Sequence, residues 1–558
     1  MMHHTRDKVY KAYHDETGKR LSGLTNYFME IKKALIHVVN TTDKANGDQL
    51  MDVNADFITP TLTEEMLKYA GMLKKLYAIL GTDKSSQDFS IVCKKWYAMR
   101  LIAEFHRETY YRVAPEDDED MLKLIAEKVL PFKDMVTFVR QDTEIALAMC
   151  YGSLKYHKNP PTLRPIIGSF AAPTKKLSLA ITYILSGIMP NIEQAWIDLY
   201  KTAGITTTRS WIVKDTAEIT TFAKELNTNI HRKNRRYINL NTFDFSSLYT
   251  EIKHDDLADR IDFVIDLAFG DFTHLELKTG KKVELKKNPD PAPRGGPKIK
   301  HIPKAMLKDA VRTLIGLTYF KLGTRTLQQI IGIPMGTNCA VFIANLFLFS
   351  YEYEFIKHCI DSGRIDIVNQ LRYTRRYIDD LLSANCCHFL DYATNPNNIV
   401  HKAIYPSYIK LNCEQGPSLA VSMLDIFIFY DKKTKRIKTT IYSKQNDPKY
   451  AKLAFIKYPH ITSILMNRCK YGCIRSQVIR FARRCSQRKG FLDNTARLIV
   501  HLHTNRGYVL RRLFKYLNNA LRRLVPHSEY NSTTITQASN AISTICNRLL
   551  AVAQVDLS

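Results

Sequence analysis

The sequence predicts an α+β protein divided into several modules, on three observations. Apolar residues recur at helical spacing over residues 66–80 and 91–105 and again through 459–525. Between these regions lie shorter runs rich in β-branched and aromatic residues, 237–249, 372–382 and 424–430, which read as strands. A chain of 558 residues also exceeds what a single hydrophobic core organises.

Taken in order, residues 1–140 read as a mostly helical extension with helix-favouring acids near Asp117 and no group arranged for chemistry. Residues 141–236 carry Lys155, Lys158 and Arg164 and then helical segments. A strand ending at Asp244 opens residues 237–430, and a helix follows it over 253–267. The composition then shifts: residues 271–303 are basic and rich in proline and glycine, which predicts an exposed loop or disordered insertion. A hairpin over 318–331 leads into Gly332-Ile333-Pro334-Met335-Gly336-Thr337-Asn338-Cys339-Ala340, where two glycines allow close backbone approach, and a helix is expected over 341–360. Strands return over 405–445, with a turn at 431–435. A helical bundle over 459–525 and a last helix over 537–555 complete the chain.

Chemistry is concentrated in Tyr377-Ile378-Asp379-Asp380, which is flanked by Arg375-Arg376 and Leu381-Leu382 and suits a tight turn between two buried strands. Two adjacent carboxylates at such a turn cost several kcal/mol each if buried unpaired, so a divalent cation is the expected compensation. Asp244, delivered by its own strand, is the expected third acid, giving three oxygen donors suited to two hard cations.

The net charge of +27 implies a polyanionic partner, nucleic acid in preference to an anionic membrane. Between Lys432 and Arg523 there are 11 Lys and 13 Arg against Asp447 and Asp493, so +22 of the charge lies in one segment. Arg480 and Arg484, four apart on one helical face, are the expected phosphate contacts. Eleven irregularly spaced cysteines exclude a disulfide framework and point to a reducing compartment; neither Cys469, Cys473 and Cys485 nor Cys386-Cys387-His388 supplies a complete zinc set. No signal peptide and no apolar run long enough to span a bilayer is evident, so the protein is expected to be soluble and intracellular.

Five segments now stand in a telling order: Tyr151-Gly152-Ser153-Leu154-Lys155-Tyr156-His157-Lys158, Leu163-Arg164-Pro165-Ile166, Asp244-Phe245-Ser246-Ser247-Leu248-Tyr249, the Gly332 segment and Tyr377-Ile378-Asp379-Asp380. Together they resemble the motifs of reverse transcriptases, over roughly residues 140–525. The resemblance implies a right-hand polymerase: fingers over 141–236, a palm of antiparallel sheet over 237–430, a basic helical thumb over 431–525, a tail over 526–558, and the helical extension in front. It implies an RNA-directed DNA polymerase using two Mg²⁺, with Mn²⁺ as the alternative ion. Asp244, Asp379 and Asp380 become the catalytic metal ligands, the first two bridging the ions most directly, and Phe245 lends its carbonyl. Tyr249 becomes the steric gate against a 2′-hydroxyl. Arg164, with Lys155 or Lys158, would clamp the triphosphate, while Gly336 and Gln328 or Gln329 would pack on the nucleotide and template base. Lys410 falls where a general acid for pyrophosphate would stand, and Leu424-Asp425-Ile426 resembles the primer-gripping hairpin.

Within the family the chain is most similar to Penelope-like elements, on these motifs and on Ser476-Gln477-Val478-Ile479-Arg480-Phe481-Ala482-Arg483. It departs from many of them, because the 33 residues after Val525 are too few for a GIY-YIG nuclease and no RNase H pattern is evident. The implied partners are an RNA template, a DNA or RNA primer, their duplex and deoxynucleoside triphosphates, with no membrane; the nucleus is expected in preference to the cytoplasm, and the oligomeric state is left open. Two other readings stand beside this one. An RNA-dependent RNA polymerase shares the palm, and a catalytically silent nucleic-acid-binding protein would share the basic surface.

Overall fold

The computed structural model describes residues 64–443 and 457–555, apart from 84, 106–110, 115–116, 137–144, 156–159, 208, 234–237, 279–282, 288–298, 334–336, 464 and 525–531. Lys158, Gly336 and the first 63 positions of the expected helical extension lie outside the described residues. The chain divides into two compact units, one of residues 101–151 and 165–437 and one of residues 1–100, 152–164 and 438–558.

In the first unit an antiparallel sheet of four strands runs in the order Thr374–Tyr377, Asp380–Ala384, Leu240–Ser246, Lys410–Ser418. Leu240, Phe243, Phe245, Leu381, Leu382 and Leu411 bury themselves in the core. Long helices supply the rest of that core: Lys175–Thr202, His254–Phe269, Lys304–Gly316 and Ala340–Asp361 pack on one another. The last is apolar nearly all round, with Phe347, Leu348 and Phe349 each fully buried, as a central helix must be. His254–Phe269 carries Asp255 and Asp256 in its first turn, where the helix dipole favours negative charge, and stops at Gly270 with φ +50°. A second hairpin, Tyr319–Leu322 with Arg325–Gln329, turns through Gly323 and pairs with Tyr111–Val113 on one side and residues 148–149 on the other. Ala420–Met423, Ile426–Asp431 and Arg436–Ile441 form a three-stranded sheet.

In the second unit the helices Asn467–Arg484, Arg488–Arg506, Leu510–Leu524 and Ser532–Val555 form a bundle around Ile474, Val478, Ile499, Leu502, Leu513, Leu517 and Ile542. The same unit holds the hairpin Tyr77–Thr82 with Ser85–Cys93, with Thr82 opposite Leu154 in a parallel pairing.

Two expectations need correction. Residues 77–93 form that hairpin instead of continuing the helices on either side, which occupy Glu64–Leu76 and Lys94–Phe105. The pairing of Ile79 with Ile91 and Ala78 with Val92 wins over a helical period that the same residues also satisfy. The flanks of the basic insertion are likewise not a loop: His274–Lys278, Glu284–Lys286 and Ile299–Pro303 make an antiparallel sheet whose Leu275, Leu277 and Ile302 are buried. Among the described residues, no helix is long and apolar enough to cross a membrane.

Candidate active site

The strand Leu240–Ser246 is buried at its first four positions and then alternates, so Asp244 and Ser246 emerge half-exposed between buried neighbours. Register brings the acids together. Asp380 lies directly across from Asp244 in the antiparallel pairing, so the two project from the same face of the sheet. Asn412 faces Asp244 from the other side and Lys410 faces Ser246, one pleat further along that face. Lys410 and Asn412 are exposed. Asn412 was not singled out by the sequence, because its position depends on a register between distant strands.

Asp379 enters through the turn. Tyr377 pairs with Asp380, leaving Ile378 and Asp379 as a two-residue hairpin loop. Ile378 has φ +57°, a left-handed conformation that a β-branched residue adopts at a cost of about 1–3 kcal/mol. The Phe245 N–H donates to the Asp379 carbonyl at 3.2 Å, which ties the loop to the strand of Asp244. The Phe245 ring is buried and meets Tyr405 edge to face at 4.9 Å.

Beneath the loop lies an ion pair that the sequence did not advertise. Arg376 and Glu352 are both 0% exposed, with Arg376 Nε 2.6 Å from Glu352 Oε1 and Nη2 3.2 Å from Oε2. Arg376 Nη1 donates to Asn345 Oδ1 at 2.8 Å and to the Ile378 carbonyl at 3.1 Å, and Nη2 donates to the Asn345 carbonyl at 3.1 Å. All five guanidinium donors are thereby used. The Tyr405 hydroxyl donates to Glu352 Oε1 at 2.9 Å.

Past Asp244 the chain reverses at Ser247, φ +61°, into the short helix Leu248–Glu251 that carries Tyr249. Burial pushes the Tyr249 phenol up to about 12, and the nearby negative charge of Asp379 adds to the shift. The glycine segment closes on this turn. Ile333 N–H donates to the Tyr249 carbonyl and Gly332 N–H to that of Ile252, each at 2.7 Å. Gly332 has φ +90°, and a Cβ there would stand 2.5 Å from the Tyr249 oxygen, so the position admits only glycine. His254 Nε2 lies 2.8 Å from the Gly332 carbonyl. Gln329 is buried at the end of its strand, its Nε2 donating to the Ile331 carbonyl at 2.9 Å, while Gln328 donates to that of Gly316.

The remaining expected residues fall in the other unit. Arg164 pairs there with Asp83 at 3.1 Å and Lys155 is half-buried. Arg480 and Arg484 share one face of Asn467–Arg484 as expected, but both are half-buried, Arg480 donating to Gln477 Oε1 at 2.9 Å. Arg475, Arg483, Arg511, Arg512 and Lys515 are among the exposed cations of the bundle.

The donors Asp244, Asp379 and Asp380 suit a hard divalent cation in kind, being carboxylate oxygens, two of them on adjoining strands and Asp379 in the loop that leads into the second. Among the described residues, no three His, Cys, Asp or Glu side chains are gathered closely enough to hold an ion as they stand.

No protein-family model matches the chain, and no curated protein matches it in sequence. Among solved structures it is similar to telomerase from Candida albicans in complex with the TWJ fragment of telomeric RNA, with TM-score 0.51 and 8% identity over 86% of this chain and 72% of that one. Telomerase from Candida tropicalis with the same kind of RNA fragment matches more weakly, with TM-score 0.42 and 11% identity over 87% and 70%. A BmCPV RNA-dependent RNA polymerase at elongation state reaches TM-score 0.31 and 11% identity over 72% and 32%. The first likeness identifies the fold: the chain has a right-hand polymerase-like fold.

Proposed function

We propose that the chain is an RNA-directed DNA polymerase that extends a primer 3′-hydroxyl with deoxynucleotides, of the kind found in Penelope-like retroelements and working in the nucleus. The observation that carries this reading is the facing of Asp244 and Asp380 across one sheet, with Asp379 in a left-handed turn tied to the same strand. In the reaction the 3′-oxygen attacks the α-phosphorus, the bond to pyrophosphate breaks, and the hydroxyl proton passes to solvent water. Asp244, Asp379 and Asp380 would hold two divalent cations, Mg²⁺ or Mn²⁺, which activate the attacking oxygen and neutralise the leaving group when bound.

The chain's own groups account for selection and approach. Tyr249, packed against the Gly332 segment, would fill the space that a 2′-hydroxyl needs. Lys410, on the same face as Asp244, would carry a proton toward the leaving pyrophosphate. Arg164, Lys155 and Lys158 would grip triphosphate oxygens, a guanidinium doing so bidentately. The hairpin Ala420–Met423 with Ile426–Asp431, turning at Leu424-Asp425, would hold the primer end, and the basic bundle would follow the duplex backbone.

The test is primer extension on an RNA template with Mg²⁺ or Mn²⁺, offering deoxynucleotides and ribonucleotides separately, with Asp379→Ala as control. Deoxynucleotide incorporation lost in the variant is expected. Incorporation of ribonucleotides alone would make the chain an RNA polymerase, and tight duplex binding without incorporation would make it a silent binding protein.

A further inference from the structure

Arg376 is held from every side. Its N–H donates to the Trp211 carbonyl at 2.6 Å, its carbonyl accepts from Val213 at 2.8 Å, and its guanidinium is saturated by Glu352, Asn345 and Ile378. Only one of those contacts lies in the hairpin loop, and it falls on the carbonyl of the strained residue, Ile378. A fully buried ion pair is an expensive way to obtain stability, because apolar residues of the same volume commonly do as well. What apolar residues cannot do is grasp a carbonyl. The helix Ala340–Asp361 contributes both Asn345 and Glu352, so the loop is referenced to the most deeply buried helix of its unit.

We propose that Arg376 is a positioning residue: fixed by Glu352, Asn345 and Tyr405, it clamps the Ile378 carbonyl and thereby sets where Asp379 stands relative to Asp244. The proposal rests on the polymerase reading for its consequence in catalysis, though the clamp itself does not. Without it Ile378 relaxes from its left-handed conformation, the Asp379 carbonyl swings off the Phe245 N–H, and the Asp379 carboxylate loses its place beside Asp244. Tyr405 belongs to the same device twice over, since its hydroxyl orients Glu352 while its ring backs Phe245.

The experiment separates clamping from mere stability. The triple variant Arg376→Met, Glu352→Leu and Tyr405→Phe removes both buried charges and the hydroxyl that served them, so its melting temperature should stay close to that of the parent chain. Amide hydrogen exchange is then read at Phe245, whose N–H reports the Asp379 carbonyl, together with kcat for single-nucleotide addition and the Kd for template–primer. The expected result is exchange at Phe245 faster by about tenfold or more and kcat lower by at least as much, with Kd unchanged within about twofold. Unchanged exchange at Phe245 in a stable variant overturns the proposal, and so does full recovery of kcat along with stability. Should the triple variant unfold, Arg376→Lys, which keeps the charge but not the fork, carries the same two readouts with the same expected and overturning results. If the parent chain incorporates no nucleotide at all, the polymerase reading fails, while exchange at Phe245 still decides whether Arg376 clamps the loop.

Discussion

Asp379 is placed by a neighbour that no free peptide would choose to bend, and three predictions follow the side chains around it. Asp379→Asn keeps the shape and removes the charge. If the carboxylate holds a cation that stabilises the transition state by several kcal/mol, single-nucleotide addition should fall by roughly a thousandfold or more, with template–primer affinity little changed. Tyr249 lies in reach of the Asp379 charge and under the Gly332 turn. Tyr249→Ala should reduce discrimination against ribonucleotides by roughly ten- to a hundredfold, measured as the ratio of kcat/KM for the two sugars. His254 gives a pH dependence of stability. Burial holds its imidazole pKa below the usual 6.5, outweighing the Gly332 carbonyl and the Asp255 charge, both of which favour the protonated ring. The unfolded chain therefore takes up a proton near pH 6.5 before the folded chain does. Its contribution is complete above that pH and is lost as pH falls through the window down to the depressed native value. The urea midpoint should decline below about pH 6.5, and His254→Gln should flatten that decline. A midpoint with the same slope in both proteins would dissociate His254 from the effect.

At the scale of elements, two hairpins share one construction. Tyr377-Ile378-Asp379-Asp380 and Met423-Leu424-Asp425-Ile426 both close two-residue loops whose first residue is apolar and left-handed, Ile378 at +57° and Leu424 at +56°. Their strands were legible in the sequence because alternation and adjacent acids are local signals. Motif order also assigned Asp244 to the same site, but that it faces Asp380 directly is a register across more than a hundred residues, which local signals do not carry. The clamp of Arg376 by Asn345 and Glu352 was hidden for the same reason, and a pair of arginines before an acidic turn reads equally well as surface charge. In the basic insertion, lysine, proline and glycine outvoted the few inward residues, Leu275, Leu277 and Ile302, that make it a sheet. The glycine segment was legible as a turn, while what it turns against was not. Gly332→Ala should show that contact. A left-handed position costs alanine about 1 kcal/mol or more, and the added carbon meets backbone, which cannot step aside. The apparent melting temperature is expected to fall by several degrees, with nucleotide KM raised. An unchanged melting curve would mean that the Tyr249 turn moves freely.

At the scale of the whole molecule, charge is the property that the sequence displayed most openly, with +22 of the +27 between Lys432 and Arg523. Which of those cations meet solvent depends on packing. In Leu510–Leu524 the buried Leu513, Leu517, Ala520 and Leu521 turn Arg511, Arg512, Lys515, Arg522 and Arg523 outward, and this amphipathic division gives a basic face without an acid on it. Asn467–Arg484 divides less cleanly, leaving Arg480 and Arg484 half-buried, with Arg480 held by Gln477. The stronger phosphate contacts should therefore come from the later helix. For a polymerase that follows a duplex, each neutralised phosphate steepens the fall of log Kobs with log salt by about 0.9. Replacing Arg511, Arg512 and Lys515 with serine should flatten the slope by roughly two to three and weaken binding across sequences alike. Replacing Arg480 and Arg484 should change it by less than about one, since a guanidinium already partnered and partly covered releases fewer counterions when duplex arrives. Fluorescence anisotropy of a labelled template–primer between low and physiological salt measures both. A larger change from Arg480 and Arg484 would mean that the duplex lies along their helix instead, and that Gln477 gives up its hold on Arg480 when it binds.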